Sequence, residues 1–161
     1  IALLPAHPGV SALVMGRATA EHEAFLATLK ARVAAAGLAD RILFRPEVSV
    51  DAMPDWYRVL DLYVAPQRWE GFGLTPLEAM ACGVPVVATR VGAFEDIVTP
   101  ETGALVPPDD IAALTAAIGA CLDDPAGTGA AGQAARAHVV RNFRIEAEAG
   151  ALVALYRRML A

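Results

Sequence analysis

A chain of 161 residues, 56% of them apolar and with a formal charge of −5 at pH 7, has the length of one domain and enough apolar surface for one core. The acidic balance, with only 13 scattered Lys and Arg, excludes a nucleic-acid face and leaves anion binding to backbone amides and one or two arginines. Gly, Pro and charged residues interrupt every apolar run before it could span a bilayer, no charged leader precedes an apolar stretch, and Cys82 and Cys121 read as reduced thiols, so the expectation is a soluble cytoplasmic domain.

Along the chain, Ile1 to Pro5 reads as the tail of a helix begun earlier, which points to a fragment. Ser11 to Met15 is a short buried strand, Glu21 to Ala36 an amphipathic helix closed by Gly37, and Arg41 to Phe44 the next strand. A short helix over Met53 to Arg58 leads to strand Leu62 to Ala65, a glycine-rich loop, helix Pro76 to Cys82 stopped by Gly83, and strand Val84 to Thr89. Phe94 to Val98 is a short helix, Thr102-Gly103 a turn, and Ala104 to Val106 the last strand. Asp109 or Asp110 caps a helix reaching about Leu122. Pro125 to Gly132 reads as a loop, followed by helices Ala130 to Arg141 and Ile145 to Leu160 with a break at Asn142-Phe143. Short strands without polar alternation, separated by helices, predict an α/β fold with a doubly wound parallel sheet. In such sheets ligands sit outside the carboxyl ends of the strands, where the glycine loop lies.

That loop, Glu70-Gly71-Phe72-Gly73-Leu74-Thr75-Pro76-Leu77-Glu78, carries the functional signal. Thr75 reads as N-cap, Pro76 as the first helical residue and Glu78 as the third. Amides from Gly73 to Leu77 would face the space ahead of the helix, where the helix dipole favours an anion and glycine permits close approach. Carboxylates repel phosphate but pair with hydroxyl donors, so acids beside such a seat fit a nucleotide sugar. For Glu78 two readings stay open: a ligand for hydroxyls, or a capping-box residue bonded back to the Thr75 amide.

The Glu-x7-Glu spacing, the interior Gly-Phe-Gly-Leu-Thr and the continuation Ala79-Met-Ala-Cys-Gly-Val-Pro-Val-Val-Ala88 resemble the donor-binding, C-terminal Rossmann-like domain of retaining glycosyltransferases of the GT-B fold, family 4. Gly16 to Ala20, Gly37 to Phe44 and Pro66 to Glu78 resemble the bacterial lipopolysaccharide-core mannosyltransferases within it. The resemblance implies that Glu70 meets donor-sugar hydroxyls at the reacting end and Glu78 the ribose. Gly71, Phe72, Gly73, Leu74 and Thr75 would then line the sugar and diphosphate. It implies a second phosphate-facing turn at Gly16-Arg17 and a contact with the base near Arg45. The donor would be GDP-mannose or another nucleotide hexose such as UDP-glucose, with no metal, since no Asp-x-Asp occurs and Asp109-Asp110 and Asp123-Asp124 read as caps. A lipopolysaccharide core sugar would be the acceptor, held by a domain this chain lacks, in an enzyme peripheral to the cytoplasmic face of the inner membrane. The isolated chain, 1-161 as one donor-binding domain, would then be inactive. A non-catalytic nucleotide-binding module is the alternative, and it would have no use for a carboxylate at Glu70. Arg68 reads as an exposed loop arginine, and His7, His22 and His138 receive no role. Val153, Tyr156 and Leu160 form an apolar stripe that would pack on their own domain or on the absent one.

Overall fold

The short apolar runs become parallel strands. In the computed structural model, which describes residues 1–160, β1 (Ala12–Met15) pairs with β2 (Ile42–Arg45), and β3 (Tyr63–Ala65), β4 (Val86–Thr89) and β5 (Gly103–Val106) form a ladder in the order β3-β4-β5. Every pairing is parallel, as expected for an α/β fold, but the hydrogen bonds fall into two sheets rather than one. The chain likewise divides into two compact units, residues 1–53 and the remainder from Pro54.

In the first unit a 3-10 turn at Ala20–His22 leads into α1 (Glu23–Ala35), and Gly37 at φ 68° turns the chain back toward β2. Val33 of α1 packs with Leu4, Leu38 and Ile42 in a small core, flanked by Val10, Ala12 and Phe44. The opening residues are not the end of a helix. They form turns closed by Ala6 N–H to Leu3 and His7 N–H to Leu4 (3.1 and 3.2 Å), and Pro8, lacking an N–H, cannot extend them into a helix. Arg41 pins this segment by donating to the carbonyls of Leu4 (2.8 Å), Val10 and His7, which holds Leu4 in the core.

The second unit is built around β4, whose four residues are all buried. Gly103 is required opposite it, because a Cβ there would stand 1.9 Å from the Val86 carbonyl oxygen. Around this strand lie α2 (Met53–Arg58), α3 (Leu74–Ala81), α4 (Phe94–Ile97), α5 (Ile111–Asp123) and α6 (Pro125–Asn142). Met80, Val86, Val87, Phe94 and Ile97 are fully enclosed, each contributing about 1.5–3 kcal/mol by leaving water.

Residues 125–132 are helical, not a loop: α6 begins at Pro125, with Asp124 as N-cap accepting from the Gly127 amide at 3.0 Å. The glycines there serve close packing. A Cβ on Gly132 would lie 2.2 Å from the Gly83 carbonyl oxygen, so only glycine lets α6 approach the end of α3. Arg136 of α6 donates to the Ala81 carbonyl (2.7 Å), placing a cation at the α3 C-terminus where the helix dipole favours it. The final helix, α7 (Ile145–Met159), follows the expected break, but no residue of it is buried and Val153, Tyr156 and Leu160 are exposed. Packing of that stripe on its own domain is therefore not what occurs. No helix among the described residues is long and apolar enough to cross a membrane.

Candidate functional site

β3, β4 and β5 run parallel, so the segments that follow Ala65, Thr89 and Val106 all leave from one edge of the sheet. The glycine loop is the first of these. Its base is tied to the next strand by the buried Thr89 hydroxyl, which donates to the Gln67 carbonyl at 2.5 Å. At its far end Gly73 adopts φ 93°, ψ 59°, a left-handed conformation, and the chain turns directly into α3 at Leu74.

This corrects the expected helix start. Gly73, not Thr75, occupies the cap position, and Pro76 is the third helical residue rather than the first. The physical reason is the left-handed glycine, which reverses the chain tightly enough for helical geometry to begin one residue before Thr75. Pro76 remains compatible because it still lies in the first turn, where its missing N–H removes no intrahelical bond. No side chain caps the turn. The amides of Leu74 and Thr75 therefore have no partner within the helix and keep the partial positive charge of a helix start.

Glu78 does not close a capping box either. Its Oε2 accepts from the Tyr57 hydroxyl at 2.8 Å, an interaction between α3 and α2. Burial, and then the bond to Glu78, hold the Tyr57 hydroxyl protonated far above the ordinary tyrosine range. Glu70 is half-buried and its Oε1 accepts from the Gly71 amide at 2.9 Å, so this acid sits back over its own loop. Around the two acids Trp69, Phe72 and Leu74 stand 81%, 51% and 64% exposed, an apolar rim on a polar loop.

The loop is braced from the segment after β4. A Cβ on Gly73 would meet the Phe94 ring at 2.3 Å, and one on Gly92, itself at φ 53°, would lie 2.0 Å from the Glu70 carbonyl oxygen. Gly71, by contrast, has open space where a Cβ would go. Two glycines are thus structural necessities, and Gly71 is free to be approached. Nearby, a cavity of about 380 Å³ is lined by Pro66, Arg68, Thr89, Asp109, Ile111 and Leu114 but by neither glutamate. Arg68 spans it to Asp109 through a 2.6 Å ion pair, and both side chains are exposed.

In the first unit the structure brings Gly16, Arg17 and Arg45 together around one cavity of about 1010 Å³ at the carboxyl ends of β1 and β2. Gly16 has φ 143° and donates its amide to the Arg45 carbonyl at 3.1 Å, so it stitches the two strand ends. Arg17 pairs with Glu47 at 3.6 Å and both are exposed. The rest of the lining is largely apolar, including Val14, Phe25 and Phe44.

Sequence reasoning passed over Tyr57, Gly92 and Phe94. Tyr57 sits in a short amphipathic helix where an aromatic reads as core, and nothing in its spacing ties it to Glu78, 21 residues on. Gly92, three residues past the end of the buried strand β4, carried a readable sign of close backbone approach.

Comparison with known proteins agrees with this architecture. Residues 2–124 match the family described as glycosyl transferases group 1. The chain is 56% identical over 163 residues to the lipopolysaccharide core biosynthesis mannosyltransferase LpsB of Rhizobium meliloti, covering 99% of this chain and 46% of that protein. It is 54% identical to LpcC of Rhizobium leguminosarum bv. viciae, which bears the same description, over 99% of this chain and 45% of that one. The chain thus spans about half the length of these curated relatives. Among solved structures, the C-terminal domain of a group 1 glycosyl transferase, LpcC from Francisella tularensis, superposes with a TM-score of 0.84 at 32% identity, covering 89% of this chain and 75% of that one. The parallel α/β architecture, the match across most of its length and the identity to these enzymes establish that this chain belongs to the group 1 glycosyl transferase family.

Proposed function

We propose that this chain is the donor-binding part of a retaining glycosyltransferase that moves mannose from GDP-mannose to a sugar of the lipopolysaccharide core. The observation that carries the reading is the start of α3: first-turn amides without a side-chain cap, behind a left-handed Gly73, with an acid on either side. An anion fits the amides and hydroxyls fit the acids, which is the chemistry of a sugar joined to a nucleoside diphosphate. The descriptions of LpsB and LpcC as core mannosyltransferases support the sugar and the acceptor.

In this reading the amides of Leu74 and Thr75 stabilise the departing diphosphate as charge develops on it, without a divalent ion. Glu70 contacts the donor-sugar hydroxyls at the reacting end. Gly71 gives the sugar room, Phe72 and its exposed apolar neighbours cover its face, and Glu78 holds the ribose hydroxyls. Gly16, Arg17 and Arg45 are assigned to the phosphate and base. The leaving phosphate oxygen takes the acceptor proton on the same face, so positioning and charge stabilisation supply the catalysis and no covalent protein nucleophile is used. The acceptor is assigned to a part of the enzyme outside this chain, which works at the cytoplasmic face of the inner membrane. The chain alone then binds donor without transferring it.

A thermal-shift panel of GDP, UDP, GDP-mannose and UDP-glucose on the full-length enzyme tests this, because a ligand bound only by the native state raises the melting temperature. GDP-mannose is expected to give the largest shift, and Glu70→Gln to reduce it to that of GDP. No shift with any nucleotide sugar would remove the proposal. Equal shifts with GDP and GDP-mannose would favour a module that reads only the nucleotide.

A further inference from the structure

Tyr57 is 4% exposed, yet its hydroxyl reaches the carboxylate of Glu78, an exposed residue of α3. The phenol ring is itself fixed: Tyr63 of β3 meets it edge-on, with ring centroids 5.9 Å apart and planes at 64°. Two elements of the fold therefore set where the hydroxyl points. A neutral phenol has a single proton to give, and burial keeps that proton in place, so the bond has one polarity. Glu78 accepts on Oε2 and is left with Oε1 for another donor. A free glutamate on a helix surface would lose rotamer freedom on gripping a ligand, whereas one already tethered has lost it beforehand.

We propose that Tyr57 is a positioning residue for donor binding, holding Glu78 by Oε2 so that Oε1 is presented to the ribose hydroxyls of the nucleotide. The inference rests on the reading of Glu78 as the ribose ligand. Tyr57 touches no substrate in this scheme and acts only through Glu78. A bond that served only to satisfy a buried phenol would affect stability, not the discrimination between a ribose and a sugar without hydroxyls.

The test is the ratio of dissociation constants for 2′,3′-dideoxy-GDP and GDP on the full-length enzyme, repeated with the uridine pair. The wild-type ratio is expected to be about tenfold or more, Glu78→Ala to bring it close to one, and Tyr57→Phe to lower it about three- to tenfold while leaving the dideoxy affinity unchanged. In the Glu78→Ala background Tyr57→Phe should alter the ratio no further. If neither GDP nor UDP binds, or if Glu78→Ala leaves the ratio whole, the reading of Glu78 falls and this inference with it. If the ratio depends on Glu78 but Tyr57→Phe spares it, or weakens both nucleotides equally, the Tyr57 assignment alone falls. Should Tyr57→Phe fail to fold, Tyr63→Leu, which loosens the Tyr57 ring but keeps its hydroxyl, is expected to lower the ratio about two- to threefold, roughly half of the full bond's effect in free energy. An unchanged ratio there overturns the assignment too.

Discussion

Two helices leave the same edge of the three-stranded sheet and begin in opposite ways. α5, after β5, starts with Asp110, whose carboxylate accepts from the Ala113 amide at 2.8 Å, so the chain satisfies its own helix start. α3, after β3, starts with Gly73 and no side-chain cap. A missing cap is not distinctive by itself, since α1 and α7 also lack one. What sets α3 apart is that its uncapped turn is held rigidly: Phe94 packs on Gly73 at one end, and Arg136 with the Gly132 contact secures the other. Polarity left unsatisfied on a fixed element is available to a ligand, whereas polarity satisfied within the chain stabilises only the fold.

The largest way to break this contrast is to remove the brace. Phe94 is fully enclosed, so Phe94→Ala should cost about 3–5 kcal/mol and lower the melting temperature by roughly 2–4 °C per kcal/mol, with donor binding lost as the loop relaxes. Denaturant titration measures the first effect and calorimetric binding the second. Next comes Gly73→Ala, where a left-handed backbone and a 2.3 Å approach to the Phe94 ring act together. A loss of about 2–4 kcal/mol is expected, against less than about 0.5 kcal/mol for Gly71→Ala, whose Cβ would enter open space. Equal losses at the two glycines would mean that the loop is not pinned as described.

A finer separation compares the helix starts directly. Asp110→Ala should cost about 1 kcal/mol, the value of a working cap, while Thr75→Ala should change stability by less than about 0.5 kcal/mol because Thr75 caps nothing. If Thr75→Ala costs as much as Asp110→Ala, the helix starts at Thr75 after all.

The smallest expected effect lies in alkali. Tyr57 keeps its proton in the folded chain well above the ordinary tyrosine value, so the unfolded chain loses that proton first as pH rises. Stability carried by the Tyr57 hydroxyl is whole below about pH 10 and declines above it. Melting curves from pH 9 to 11 should fall less steeply for Tyr57→Phe than for the wild type, and identical slopes would show that the hydroxyl is not held as described.

Much of this was legible in the residues. The β3-loop-α3 unit announced itself because glycines, a proline and two acids each have a narrow set of uses, and their coincidence within nine positions leaves few alternatives. The helix starts two residues earlier than Thr75-Pro76 signals, because Gly73 reaches a conformation that starts it sooner. The segment from Pro125 was misread for a related reason. Gly and Ala there looked like a loop, but a helix packed closely against Gly83 needs small residues on that face.

The sequence by itself determined most of the strands and helices, though not the helical start of α6 or the opening turns, as well as the parallel run of the strands and the glycine loop that opens a helix at the sheet edge. Those features follow from local preferences and from hydrophobic spacing within a dozen residues. Only the tertiary structure decided that Phe94 and Gly92 would brace the loop, that Glu78 would take Tyr57 rather than the Thr75 amide, and that the two acids would differ in setting. The contacts of Phe94, Gly92 and Tyr57 each reach across some 20 residues of chain, chosen by how helices pack on the sheet, and no local pattern encodes which distant side chain arrives first.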